Sequence, residues 1–166
     1  MALTINNFWG AETGTLDEVA STTGTPTVQT STTHSGDYSY LVNTANQINL
    51  APYSSVARAG DGLVAGFWFY YSSTTKNTTI SPFFKGNPNE TGQSLTLSCD
   101  HASMYIFDAP ASVAGSASWV IPKQTWFFVE VYWEETNSGD ASVYVDGELV
   151  VSVTAQDFIG AAGTAT

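Results

Sequence analysis

The sequence predicts an all-β chain folded as an antiparallel two-sheet sandwich or jelly roll, on three observations. About a dozen short strand-like runs recur along 166 residues, separated by Gly, Pro, Ser, Thr and Asn. No run has helical period and length; the best candidate, residues 15–20, is too short and is followed by Gly24 and Pro26. The stretch 125–153, TWFFVEVYWEETNSGDASVYVDGELVVSV, reads as three successive strands joined by tight turns.

In order, the strand-like runs lie at 3–9, 27–30, 38–42, 47–50, 63–71, 79–84, 94–99, 104–107 and 118–121. The long run at 63–71 has Leu63, Ala65, Phe67, Phe69 and Tyr71 on one side, and Val64, Gly66, Trp68 and Tyr70 on the other. Both sides are apolar, which predicts a central strand covered on both faces. Residues 72–78, 85–93 and 109–117 are rich in Gly, Ser, Thr, Asn and Pro and read as surface loops. No internal repeat or linker interrupts the chain, which reads as one domain over 1–166.

The stretch 125–153 can be placed in more detail. Phe127, Val129, Val131 and Trp133 alternate with Trp126, Phe128, Glu130, Tyr132 and Glu134, so one face is wholly apolar. Val143 and Val145 continue that face in the next strand. Keeping Trp133 beside Val143 and Val131 beside Val145 requires an odd loop. Asn137-Ser138-Gly139 fits, with Gly139 supplying a left-handed conformation. This register sets Tyr132 beside Tyr144 and Glu130 beside Asp146, a like-charge pair. Asp146-Gly147 is a strong two-residue hairpin signal. The run at 148–153 does not alternate cleanly, so its facing stays open.

Composition excludes several function classes. The formal net charge is −11, and the four basic residues, Arg58, Lys76, Lys85 and Lys123, are scattered. They cannot line a phosphate-tracking groove, which excludes nucleic acid as a partner, and they offer little to anionic lipid. No apolar run is long enough to insert in a membrane. The N-terminus, MALTINNFWG, lacks the basic and apolar regions of a signal peptide. The single cysteine, Cys99 in SLTLSC, excludes an internal disulfide and reads as a small buried apolar residue.

Taken in order, these segments resemble a concanavalin A-like jelly roll of the laminin-G or pentraxin type. FWGAETGTLDEV is similar to the opening F-x-x-x-E-x-G of such domains, and TSTTHSGDYSYLV to their SG-x-Y-S-L element. Residues 63–71 resemble the aromatic F-W-F/Y strand. Residues 124–133 resemble the W-x-x-V-x-V-x-W strand, and SVYVDGELV the most specific element, v-Y-V-D-G-x-l-V. The resemblance covers most of the chain and implies a fold more than a function. Phe158-Ile159-Gly160 resembles the element before the family's closing strand, yet six residues follow it, so that strand is expected to be short, missing or supplied by a neighbour. The calcium held by some relatives finds no dense cluster here. Asp17, Glu18, Asp61, Asp100, Asp108 and Asp157 are dispersed, so a Ca²⁺ site rests on the fold alone and no other cofactor is expected.

Glycanases of this fold need two facing carboxylates, carried in a pattern like E-x-D-x-x-E, and the chain has none. Glu130 and Glu134 share a face but lie about 13 Å apart along the strand. His34 and His101 sit in polar contexts without zinc spacing, and no G-x-S-x-G elbow occurs. No catalytic residue is therefore assigned. The candidate glycan- or partner-binding residues are those left on the face away from the core: Trp126, Phe128, Glu130, Tyr132 and Tyr144. Their rings suit a sugar or an interface, and their polar tips suit hydroxyl groups.

The expectation is a non-enzymatic structural, decorating or adhesion module on the surface of a bacteriophage particle, or otherwise extracellular. It would contact neighbouring subunits, cell-surface glycan or both. The alternatives are a free, lectin-like carbohydrate-binding module and, less well supported by the residues, a glycan hydrolase.

Overall fold

A computed structural model describes residues 13–16, 19–42, 47–50, 62–72, 81–86, 95–100, 102–108, 112–134 and 136–158. Among them the chain is all-β, built from antiparallel strands without a helix. The strand read at 3–9, the carboxylates of Asp17, Glu18 and Asp61, His101, and the segment from Ile159 onward lie outside the described residues. The chain divides into two compact units, Met1–Ser55 and Val56–Thr166.

The first unit holds β1 (Val19–Thr23), β2 (Thr27–Gln29), β3 (Ser39–Leu41) and β4 (Gln47–Leu50). β1 pairs with β4 and β2 with β3. Residues 15–20, too short for a helix by the sequence, lead into the sheet: the Val19 N–H donates to the Leu16 carbonyl at 3.1 Å, and β1 begins at Val19. The Ser39 hydroxyl, buried, donates to the Thr32 carbonyl at 2.6 Å and ties the β2–β3 connection.

The second unit holds β5 (Gly62–Tyr70), β6 (Ser81–Gly86), β7 (Leu95–Cys99), β8 (Ser103–Phe107), β9 (Val113–Ser118), β10 (Trp126–Glu134), β11 (Gly139–Val145) and β12 (Glu148–Gln156). They form two four-stranded sheets, in the orders β12-β11-β10-β5 and β6-β7-β8-β9. One continuous buried cluster joins them. Leu95, Leu97, Cys99, Met104 and Ile106 come from the second sheet, and Phe127, Val129, Val131, Trp133, Ala141, Val143, Val145, Val151 and Val153 from the first. Each such side chain withdrawn from water contributes roughly 1.5–3 kcal/mol before entropy is counted. The alternation in β10 is complete: Phe127, Val129, Val131 and Trp133 are buried and the residues between them are half-buried. Burial pushes the Cys99 thiol up to about 11, with the neighbouring Asp100 charge adding to it.

Four expectations are corrected. First, β9 runs through 113–118, where residues up to 117 read as loop, and of the strand expected at 118–121 only Ser118 belongs to a strand. Smallness here serves packing, because a Cβ on Gly115 would run into Val153 Cγ1 of β12. Second, among the described residues β5 ends its ladder, with β10 as its neighbour, and Val64 and Trp68 on its outer face are 56% and 46% exposed. Its two apolar faces had suggested a central, doubly covered strand.

Third, the β10–β11 register differs by two residues from the expected one: Trp133 faces Ala141, Val131 faces Val143 and Val129 faces Val145. A slide of two preserves every inward and outward assignment, so hydrophobic alternation cannot distinguish the registers. The loop geometry decides. Glu134 accepts the Thr136 N–H on its carbonyl at 2.9 Å and the Asp140 N–H on its carboxylate at 3.3 Å. Fourth, Gly139 is not left-handed; it is needed because a Cβ there would strike the Glu134 carbonyl oxygen. The Asp146-Gly147 turn forms as expected, with φ of 50° and 83° and Val145 paired to Glu148.

Candidate functional site

The outer face of the β12-β11-β10-β5 sheet gathers the candidate residues. Because the strand period is two, the residues of β10 that leave the core face are Trp126, Phe128, Glu130, Tyr132 and Glu134. Antiparallel pairing then sets Trp126 opposite Tyr70, Phe128 opposite Trp68, Glu130 opposite Gly66, Tyr132 opposite Val64 and Glu134 opposite Gly62. On the other flank Glu130 faces Tyr144 and Tyr132 faces Ser142. Tyr144 in turn faces Leu149, which is 56% exposed.

Two tilted aromatic pairs lie side by side. The Trp126 and Tyr70 ring centroids are 5.3 Å apart, and those of Phe128 and Trp68 are 5.2 Å apart, with interplanar angles of 49° and 47°. Each such pair contributes about 0.5–1.5 kcal/mol beyond its buried area. Two glycines of β5 make room for the rings. A Cβ on Gly66 would lie 2.9 Å from Phe128 Cζ, and one on Gly62 would lie 2.5 Å from Tyr132 Cε2. The rings of β10 therefore lean across the neighbouring strand and cover its bare backbone.

The carboxylates around this face divide sharply. Glu134 is committed: it accepts the Tyr132 phenol at 2.7 Å and the Asp140 N–H. That bond raises the Tyr132 phenol to about 12, with burial and the charges of Glu134 and Asp140 adding to it. Asp140 accepts the Ala155 N–H at 3.2 Å. Asp146 accepts the Phe128 N–H at 2.9 Å on Oδ1 and is bonded through its own N–H to the Phe128 carbonyl at 2.9 Å. The expected Glu130–Asp146 repulsion is therefore absent, because Asp146 closes the turn and Glu130 sits beside Tyr144. Among the described residues the half-buried Glu130 carboxylate has no hydrogen bond or ion pair, and neither does the Tyr144 phenol.

The five residues read from the sequence thus fall on one face, and the structure adds Val64, Trp68, Tyr70 and Leu149 to them. Trp68 and Tyr70 were visible as the second apolar side of the run at 63–71, but which strand they flank is not written in local periodicity. Asp100 and Asp108, considered for calcium, serve their own loops. Asp100 accepts the Ala102 and Ser103 N–H groups at 2.7 and 2.8 Å and the Tyr105 phenol at 2.9 Å, and Asp108 accepts the Ser112 N–H at 3.1 Å. Among the described residues no three His, Cys, Asp or Glu side chains come together as a metal site. No protein-family model matches the chain, and no curated protein matches it.

Proposed function

We propose that the chain is a non-enzymatic jelly-roll module that serves as a structural, decorating or adhesive element of a larger assembly, of the kind displayed on a viral particle. The outer face of the β12-β11-β10-β5 sheet is its contact surface. The observation that carries this reading is the concentration of exposed apolar side chains on that face. Val64, Trp68 and Leu149 are 56%, 46% and 56% exposed beside four half-buried aromatic residues, Trp126, Phe128, Tyr132 and Tyr144. Patches of that kind on a soluble surface mark interaction sites. The two-sheet arrangement is supported by the buried cluster to which both four-stranded sheets contribute.

Adhesion to neutral glycan is a second reading, favoured by the exposed Trp68 ring held against Phe128, a platform on which a pyranose could stack. Co-sedimentation of the purified chain with particles from its source, together with immunogold imaging, tests the first reading. Association that Trp68→Ala abolishes while the fold persists is the expected result. A chain that never associates with particles, yet binds oligosaccharides on a glycan array, removes the assembly reading and leaves the second.

A further inference from the structure

We propose that Asp146 is a site of isoaspartate formation, a modification that the chain carries out on itself and that the closed β11–β12 turn withholds.

The chemistry needs only the dipeptide Asp146-Gly147. The Gly147 amide nitrogen attacks Asp146 Cγ, so that an N–Cγ bond forms and a Cγ–O bond breaks. The carboxyl oxygen leaves as water with the carboxyl proton and the amide proton, and a five-membered succinimide remains. Water then opens the ring. Cleavage of the N–Cγ bond restores aspartate. Cleavage between the nitrogen and the former backbone carbonyl leaves Gly147 joined through Cγ, which is isoaspartate. Water is released and then consumed, and no oxidant or second protein enters. Glycine favours the attack because no side chain flanks its nitrogen, and a Cβ built on Gly147 would meet nothing within 4 Å. Asp146, Gly147 and Glu148 are exposed, so water reaches the turn.

The fold opposes ring closure. Phe128 on β10 holds Asp146 twice: its N–H donates to Asp146 Oδ1 at 2.9 Å, and its carbonyl accepts the Asp146 N–H at 2.9 Å. Cγ must leave the first of these bonds to reach the Gly147 nitrogen. The backbone is set as well, with φ of 50° at Asp146 and 83° at Gly147 and with Val145 paired to Glu148. The reaction therefore waits for the turn to open.

The tip of this hairpin can open without the rest. Val143 pairs with Val151 but Tyr144 with Leu149, so a register shift separates the tip from the longer ladder. Opening from Asp146 to Leu149 breaks the Val145–Glu148 and Tyr144–Leu149 pairs and the two bonds to Phe128. Glu148 and Leu149 are exposed, so little apolar surface is lost with them. Segments of this kind open at a fraction of the cost of global unfolding.

The product does not fit the turn. Isoaspartate adds a carbon to the backbone between Val145 and Gly147 and takes the carboxylate away from the Phe128 N–H. Phe128 packs on Trp68 at 5.2 Å, so the change reaches the aromatic pairs of the outer face.

Purified chain and the peptide Tyr-Val-Asp-Gly-Glu-Leu-Val, residues 144–150, are incubated side by side at physiological temperature and pH. Isoaspartate is counted by isoaspartate-directed methyl transfer and assigned by peptide mapping, which separates Asp146 from the other Asp-Gly pair, Asp61-Gly62. The peptide is expected to isomerise at least about ten-fold faster than Asp146 of the folded chain. Leu149→Gly, which weakens the tip without touching the core, should speed Asp146 by about three-fold or more in the folded chain. The same substitution should alter the peptide less than about two-fold, since it lies outside the reacting dipeptide. Urea below the unfolding transition loosens the parent chain without a mutation and should act in the same direction. In both cases isomerisation should rise in step with hydrogen exchange at the Phe128 amide. Equal rates in peptide and folded chain would show that the turn withholds nothing and overturn the proposal. So would a Phe128 amide that exchanges faster in urea or in Leu149→Gly while isoaspartate at Asp146 does not increase.

Discussion

Tyr132 and Glu134, neighbours on the outer face of β10, are joined by a 2.7 Å hydrogen bond from the phenol to Glu134 Oε1. The same carboxylate holds the Asp140 N–H and the Glu134 carbonyl holds the Thr136 N–H, so one residue fixes both the tyrosine ring and the β10–β11 loop. Because the bond requires a protonated phenol, the Tyr132 pKa rises from 10.0 to about 12. For an acid whose neutral form is favoured by folding, the stabilisation is complete below the unfolded pKa and is lost as pH climbs toward the folded one. Stability should therefore fall between pH 10 and about 12. Absorbance at tyrosinate wavelengths should show a late-titrating phenol that Tyr132→Phe removes. Urea unfolding should show that variant less stable at pH 8, by about 1 kcal/mol or less for a half-exposed bond, and its stability should converge with the parent's as the phenol ionises.

Gly139 and Gly147 bracket β11 for different reasons, and alanine should separate them. At Gly139 an added Cβ meets the Glu134 carbonyl oxygen, which is backbone, and stands 3.0 Å from Thr136 Oγ1. At Gly147 nothing lies within 4 Å, but φ is +83°. Gly147→Ala should cost about 1–2 kcal/mol, the strain of a left-handed non-glycine residue. Gly139→Ala should cost about 2–3 kcal/mol, because the loop itself must move. Denaturant titration of both variants checks the order, and an equal or reversed order would contradict the steric reading of Gly139.

The difference between these glycines also shows what the sequence could reveal. Alternation placed Phe127, Val129, Val131, Trp133, Val143 and Val145 in the core, and the Asp146-Gly147 pair announced its turn, because both signals are local. The register between β10 and β11 was not legible, since a two-residue slide leaves all faces unchanged and the arbiter is a set of side-chain bonds at Glu134. The strand at 113–118 was hidden because its small residues answer to Val153, distant in sequence. The five site residues were legible as a face. Their aromatic partners Trp68 and Tyr70 were not, because cross-strand neighbours belong to topology.

Asp146 holds the β11–β12 turn through its carboxylate as well as its backbone. Oδ1 accepts the Phe128 N–H at 2.9 Å, and the residue sits at φ 50°, a conformation that Asn and Asp tolerate better than alanine. Asp146→Ala should destabilise by about 1–2 kcal/mol, through lost hydrogen bonding and added strain. Asp146→Asn retains an acceptor and the backbone preference and should lose about half as much or less. Hydrogen exchange at the Phe128 amide reports the bond directly: it should accelerate in the alanine variant and remain protected in the asparagine one.

Gly66 tests the outer face without deleting any of its aromatic groups. An added Cβ would stand 2.9 Å from Phe128 Cζ, the far end of a side chain, so the ring can swing away where a backbone atom could not. The stability cost of Gly66→Ala should therefore be small, about 1 kcal/mol, offset in part by the lower entropy of an alanine unfolded chain. The ring arrangement should change more than the stability, because Phe128 is packed on Trp68 at 5.2 Å. Near-ultraviolet circular dichroism should lose intensity in the tryptophan region, and binding of whatever the face recognises should weaken while the unfolding midpoint hardly moves. A variant with parental ring dichroism and parental binding would show that the lean of Phe128 over Gly66 is incidental to recognition.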